Sequence, residues 1–359
     1  MKARIPVLVL SFGLVAGAIA WGVFVDARDT RLQQLLSDIE SAEDRIPHEG
    51  VRLLKSAETV AFRVASRDGH KRVEFLGVRD GVKRPRPSKA HRIPFFGSVP
   101  VFLRPGHDQW KRRVKDFDLA VRNYEVAVTG RDVVAGRAAD VVDVRARHPG
   151  RSSYRFWADV ENRFPLAFQV LAEGAPVFET RFEEIVFHPR FPDRAFDETT
   201  RPGWIRVTRE VVSPERLGER AGFGVWAPAR LPRGFERRGA EVIRVRLELP
   251  DSVREAVKGF FPGGVPNFDV AVAHLNYTDG MAVLSVVQIP SDSDFWGFIK
   301  RFLPAQAKAN GDVVAQKFAD RRGAAYLLEL EGTVVLAAGN VQPEQDPGFE
   351  AMIRSFERR

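Results

Sequence analysis

The chain has 359 residues and no cysteine, three methionines, and seven histidines scattered at 48, 70, 91, 107, 148, 188 and 274. Without cysteine there are no disulfides, no thiolate metal sites, no cysteine nucleophile and no thiol for lipid attachment. The histidines form no H-E-x-x-H and no pair at metal-ligand spacing, so a metal site is not expected. No G-x-S-x-G is present, and Ser152-Ser153 beside Gly150 reads as turn material. The string Gly222-x-Gly224-x-x-Ala227 follows no strand, and Pro228 blocks the helix a dinucleotide loop requires. Asp292 and Asp294 stand where they cap a helix, and the sequon Asn276-Tyr277-Thr278 lies inside a strand pattern. No triad, metal set or paired-carboxylate motif remains, so the reading is a non-enzyme without a cofactor.

Long hydrophobic runs are equally scarce, with one exception. Lys2 and Arg4 precede an uncharged stretch from Ile5 to Val25, closed by Asp26, Arg28 and Asp29. Its 21 residues suit a membrane-spanning helix, whereas Ala18-Ile19-Ala20 supplies a cleavage site. Residues 1–27 are thus either an inner-membrane anchor through residues 5–25 or a signal peptide, and everything beyond them is exported. An exported chain without disulfides rests on its apolar core, which 44% hydrophobic residues can supply. Behind an export segment the net charge of +8 points to anionic lipid head groups, acidic envelope polymers or an acidic protein partner, not to nucleic acid.

The densest signal runs from Asn123 to Phe187. Four segments alternate apolar and polar residues, at Tyr124–Val128, Ala139–Ala146, Ser153–Val160 and Leu166–Leu171, and a fifth spans Val177–Phe187. Gly130, Gly136, His148-Pro149-Gly150, Glu161-Asn162 and Glu173-Gly174 separate them, as in an antiparallel meander with one wet face. Such a sheet offers a concave apolar surface. Tyr154, Phe156, Phe168, Phe178 and Phe182 are its candidate lining, either for a ligand or for the protein's own helix. Leu32, Leu35, Leu36 and Ile39 supply the single stripe of such a helix. Val51–Val64 and Arg72–Val78 read as a strand pair. A basic, proline-rich stretch follows, either a solvated loop or a grip for an anionic head group, with Lys83, Arg84, Arg86, Arg112 and Arg113 as the candidates.

Past a loop at His188–Gly203 a second set of strands is expected at Ala240–Leu249, Phe268–Tyr277, Ala282–Gln288, Ala324–Leu330 and Thr333–Ala337. Phe295–Leu303 reads as an aromatic amphipathic helix, either a core helix of the second domain or, because Phe295, Trp296 and Phe298 exceed what one short core helix needs, a set of candidate partner contacts. A short helix over Gly348–Phe356 ends the chain. The domain boundary falls near residue 200, giving domains 28–200 and 201–359.

The motif N-Y-E-V-A-V-T-G-R-D-V-V-A-G-R from Asn123, Y-R-F-W-A-D-V-E-N-R-F-P-L from Tyr154 and the F-E-x-I-V-F strand ending at Phe187 resemble the N-terminal domain of MucB/RseB-type periplasmic regulators. In the second half, L-P-R-G-F, Y-T-D-G-M-A-V-L-S-V-V and A-M-I-R-S-F are similar to the family's C-terminal domain. The resemblance implies an α+β protein: a LolA-like unclosed antiparallel β-barrel packed on helices, plus a smaller C-terminal α+β domain. It further implies a non-enzymatic cell-envelope sensor that binds lipid in the concave sheet and modulates a membrane-bound anti-sigma factor through that factor's periplasmic domain. The competing reading is a periplasmic lipid or lipoprotein carrier of the LolA type, which needs no second domain. Three features depart from the family pattern: the anchor-length export segment, the basic insertion at 82–92 and the aromatic helix after Val287.

Overall fold

The computed structural model describes residues 30–56, 59–68, 70–79, 113–192, 195–196, 205–257, 267–299, 316–320 and 323–358. The export segment, Lys83, Arg84, Arg86, Arg112 and the boundary at residue 200 lie outside these residues. Among the described residues no helix is long and apolar enough to cross a membrane.

Helix α1 (residues 30–45) is followed by strands β1 (His48–Lys55), β2 (Thr59–Arg67) and β3 (His70–Val78), then by helix α2 (Phe117–Asn123). The meander comprises β4 (Tyr124–Val134), β5 (Arg137–Ala146), β6 (Ser153–Asp159), β7 (Pro165–Ala172) and β8 (Ala175–Phe187). All eight strands form one antiparallel sheet in the order β3-β2-β1-β8-β7-β6-β5-β4, so β3 and β4 are edges and the sheet is unclosed. Two differences from the sequence reading have local causes. Gly130 is a bulge inside β4, where the register slips between Val128 and Gly130, rather than a turn between strands. The stretch Val51–Val64 is two strands, because the chain turns back after Lys55 to pair Lys55 with Thr59. Ala135-Gly136 and Glu173-Gly174 both have positive φ at each residue, which gives two-residue hairpins with the right twist.

Helix α1 covers one face of this sheet. Leu36 and Ile39 are fully buried against Tyr124, Val126, Val142, Val144, Tyr154, Phe156 and Phe168. Burying each such aliphatic side chain contributes about 1.5–3 kcal/mol. Further along the helix, Ala42 joins a second cluster with Phe164, Leu166 and Phe182.

The second sheet contains β9 (Ile205–Val212), β11 (Glu236–Leu247), β12 (Phe268–Thr278), β13 (Val283–Pro290), β14 (Gln316–Asp320), β15 (Gly323–Leu330) and β16 (Thr333–Gly339), in the order β14-β15-β16-β13-β12-β11-β9. One face is packed by helix α3 (Leu217–Ala221), the short ribbon of β10 (Trp226–Pro228) with β17 (Phe356–Arg358), and the C-terminal helix α6 (Pro347–Ile353), through Leu217, Phe349 and Met352. Helix α4 (Asp251–Val257) follows β11, and helix α5 (Asp294–Ile299) covers the opposite face. Asp346 caps α6 by accepting from the Gly348 N–H at 2.8 Å.

Candidate functional site

The α1-covered face brings together four of the five expected lining aromatics. Tyr154 stacks on Phe168 at 5.9 Å, Phe168 tilts against Phe156 at 4.9 Å, and Phe178 packs at their margin. Phe182 lies in the adjoining cluster, 5.8 Å from Phe164 and under the guanidinium of Arg52 at 4.2 Å. The apolar face is present, and α1 fills it: Phe156 is fully buried and Tyr154 and Phe168 nearly so.

Arg113 is within the described residues and is already engaged. Its guanidinium meets Glu43 at 2.7 Å and its backbone N–H donates to Glu40 at 2.6 Å. Glu43 also accepts from Arg52 at 3.1 Å and from Lys71 at 3.2 Å. Burial alone would raise the Glu43 carboxyl, but Arg113, Arg52 and Lys71 together hold it well below the usual carboxylate range. Burial raises the Glu40 carboxyl, only partly offset by Arg113, and pushes Lys115 down to about 8. The sequence contained a sign of this cluster. Glu40 and Glu43 continue the Leu32–Leu36–Ile39 stripe at helical spacing, and carboxylates on an otherwise buried stripe require buried cations.

Two of the three expected partner contacts in the aromatic helix face inward. Phe295 and Trp296 are buried against Val270, Val272 and Val287, with Phe295 4.9 Å from Phe268. The face of the seven-stranded sheet needs a cover, and α5 provides it. Phe298 lies in α5, and its side chain is outside the described ones.

Sequence reasoning missed the junction between the two sheets. The turn joining β12 to β13, Thr278–Ala282, inserts into the first sheet's core, so that Met281 packs in the same cluster as Leu36 and Ile39. A side chain at Gly280 would meet the Ala120 backbone at 2.2 Å, and its φ of +108° also demands glycine. Asp279 is fully buried. It accepts from the Met281 and Ala282 N–H groups at 3.1 and 2.8 Å and from the Tyr124 hydroxyl at 3.1 and 3.0 Å. Arg151, from the β5–β6 loop, donates to Asp279 at 3.2 Å, to the Arg233 carbonyl at 3.2 Å and to Asp346, and lies 4.7 Å over Phe235. Asn123 donates to the carbonyls of Gly234 and Asp279 at 3.1 and 2.9 Å and accepts from His148 at 3.0 Å. Gly150 packs against Asp346, where a Cβ would stand 2.7 Å from the Asp346 Cβ. Tyr124 is the hinge of this arrangement: its ring belongs to the core beneath α1, and its hydroxyl belongs to the second sheet's turn.

Residues 32–200, which include the eight-stranded sheet, match the model of the MucB/RseB N-terminal domain. Over 224 residues the chain is 26% identical to the sigma-E factor regulatory protein RseB of Escherichia coli strain K12, covering 61% of this chain and 67% of that one. The RseB of Salmonella typhimurium is 26% identical over 239 residues, covering 63% and 70%. Among solved structures, MucB in complex with MucA(peri) is 16% identical with a TM-score of 0.50, covering 90% of this chain and 97% of that one. A crystal structure of MucB is 17% identical with a TM-score of 0.50, covering 92% and 98%. At these identities the structures establish a shared fold. The domain match, the RseB relatives and the MucB-like fold agree with the motifs at Asn123–Phe187, and residues 32–200 of this chain are a domain of the MucB/RseB type.

Proposed function

We propose that this protein is a non-enzymatic regulator of the cell envelope that engages the periplasmic domain of a membrane-bound anti-sigma factor and adjusts that contact when lipid enters the α1-covered face. The observation that carries the reading is the double role of Tyr124. Its ring packs in the cluster that Leu36 and Ile39 of α1 complete, while its hydroxyl and the neighbouring Met281 tie that cluster to the β12–β13 turn. A ligand that moves α1 therefore disturbs a residue bonded to the second sheet. Such a link suits a sensor, in which one sheet receives and the other reports. The RseB relatives are named sigma-E factor regulatory proteins, and one structural neighbour is a MucB–MucA(peri) complex, which supports the choice of partner.

The carrier reading is weaker. A shuttle has no use for a second sheet joined through buried charges. The protein is proposed to work in the periplasm, either released or held by residues 5–25. Calorimetric titration of the full-length protein with an anti-sigma periplasmic domain from the same cell tests the proposal. Binding that weakens when lipid is added supports it. Absence of binding in both conditions contradicts it.

A further inference from the structure

Three cations converge on a single carboxylate where α1 ends. Glu43 holds Arg52, Lys71 and Arg113 at 3.1, 3.2 and 2.7 Å, and all four side chains are mostly withdrawn from solvent. An anion in the last turn of a helix faces the negative end of the helix dipole, so Glu43 stands there because of the cations and not because of the helix. Glu40 stands farther off, 4.0 Å from the Arg113 guanidinium, and its oxygens also accept from the Arg113 and Val114 backbone N–H groups. Asp44, 3.7 Å from Lys71, is half exposed.

The same sheet face carries a second, independent feature. His48 and Ser66 are cross-strand partners, and Ser66 is in turn the partner of Lys71, so the three form a row across β1, β2 and β3. His48 and Ser66 are buried. His48 donates from Nδ1 to the Ile46 carbonyl at 2.9 Å, and its Nε2 and the Ser66 hydroxyl have no partner. A buried hydroxyl without a partner, cross-strand from Lys71, is suited to an oxyanion, which accepts from hydroxyl and cation alike.

We propose that Arg52, Lys71 and Arg113 with Ser66 form an anion-binding subsite whose resident occupant is Glu43, and that a phosphate or carboxylate group displaces Glu43 and frees the last turn of α1. The inference deepens the regulatory reading, because it rests on α1 being the element that a ligand moves. Two sources share this chemistry: the head group of an anionic lipid, or a free small anion. On the same face, Phe62 lies 5.8 Å from Phe75, and Val73 and Phe75 are exposed, which offers apolar surface beside the cations.

The test measures binding of the full-length protein to phosphatidylglycerol vesicles, to phosphatidylcholine vesicles and to inorganic phosphate. The variants are Glu43→Gln, Lys71→Met and, as a control for net charge, the exposed Arg354→Met. Lys71→Met keeps the Glu43 pairs with Arg52 and Arg113, so it stays folded, and urea unfolding of each variant verifies this. Glu43→Gln is expected to raise affinity for the anionic probe about tenfold, Lys71→Met to lower it about tenfold, and Arg354→Met to leave it within twofold. If phosphatidylglycerol responds and phosphate does not, the anion is a head group. If phosphate responds alone, the subsite stands and the lipid reading falls. If both vesicles bind equally and Glu43→Gln changes nothing, the lipid reading stands and the subsite is overturned. No binding of any probe overturns the subsite as well.

Discussion

Replacing Arg151 with methionine tests the junction most severely. The Arg151 side chain is almost fully buried, and removing its charge leaves Asp279 and Asp346 without their common cation. Breaking a buried ion pair by deleting one partner costs about 3–5 kcal/mol. The lower end is expected here, because Asp279 keeps the Met281 and Ala282 N–H groups and the Tyr124 hydroxyl, and Asp346 keeps the Gly348 N–H. Urea unfolding followed by tryptophan fluorescence reads out both halves, since Trp157 belongs to the first sheet and Trp226 and Trp296 pack on the second. The expected result is a loss of about 3 kcal/mol, with one cooperative transition resolving into two as the sheets lose their tie. Arg354→Met, at an exposed i,i+4 pair, is the reference and should shift stability by less than about 0.5 kcal/mol. A loss below about 1 kcal/mol with a single unchanged transition would refute the claim that this buried network couples the sheets.

Other outcomes follow from the same geometry. Tyr124→Phe keeps the ring in the core and removes the bond to Asp279, so it should cost about 1.5–3 kcal/mol, and in an Asp279→Asn background, where the acceptor stays but its charge is gone, the cost should shrink to about 0.5–1.5 kcal/mol by double-mutant cycle. His48 is buried neutral and its pKa falls from 6.5 to about 4, so the unfolded chain takes up the proton first. Its contribution to stability is fully present above pH 6.5 and declines to its floor near pH 4, a total of about 3 kcal/mol that His48→Leu should remove from the pH profile. Trp296→Ala should unfold the second sheet's outer face at a cost of about 3–5 kcal/mol, measured by thermal melting, and a melting temperature near wild type would restore the docking reading of α5. Gly280→Ala should fail to form the junction, seen as loss of the Tyr124-dependent coupling, since its Cβ has no room against Ala120.

Period-two alternation placed the meander, and the stripe of Leu32, Leu35, Leu36 and Ile39 placed the helix over it, because both are local consequences of one wet and one dry face. Gly130 misled as a turn because glycine serves bulges and turns alike, and only the partner strand tells them apart. The surplus of aromatics in α5 suggested a surface, yet the sheet it covers is broad enough to bury Phe295 and Trp296. Helix α2 escaped notice because seven residues carry too little periodicity, although Asp116 caps it through the Leu119 N–H at 2.7 Å. The junction was illegible for a different reason. Arg151, Asp279 and Asp346 each sit in turn-like sequence, and nothing local says that residues so far apart share one buried site. The Asp-Gly of Asp279-Gly280 announced a tight turn and gave no hint that the turn plugs into another core.

The central claim is that the state of the α1-covered face reaches a partner through Tyr124 and the β12–β13 turn. The direct measurement is the affinity of the full-length protein for an anti-sigma periplasmic domain, with and without anionic lipid, in wild type and in Tyr124→Phe. The account predicts that lipid weakens binding in wild type and that Tyr124→Phe binds the partner but loses most of the lipid effect. An equal lipid effect in both proteins would contradict it.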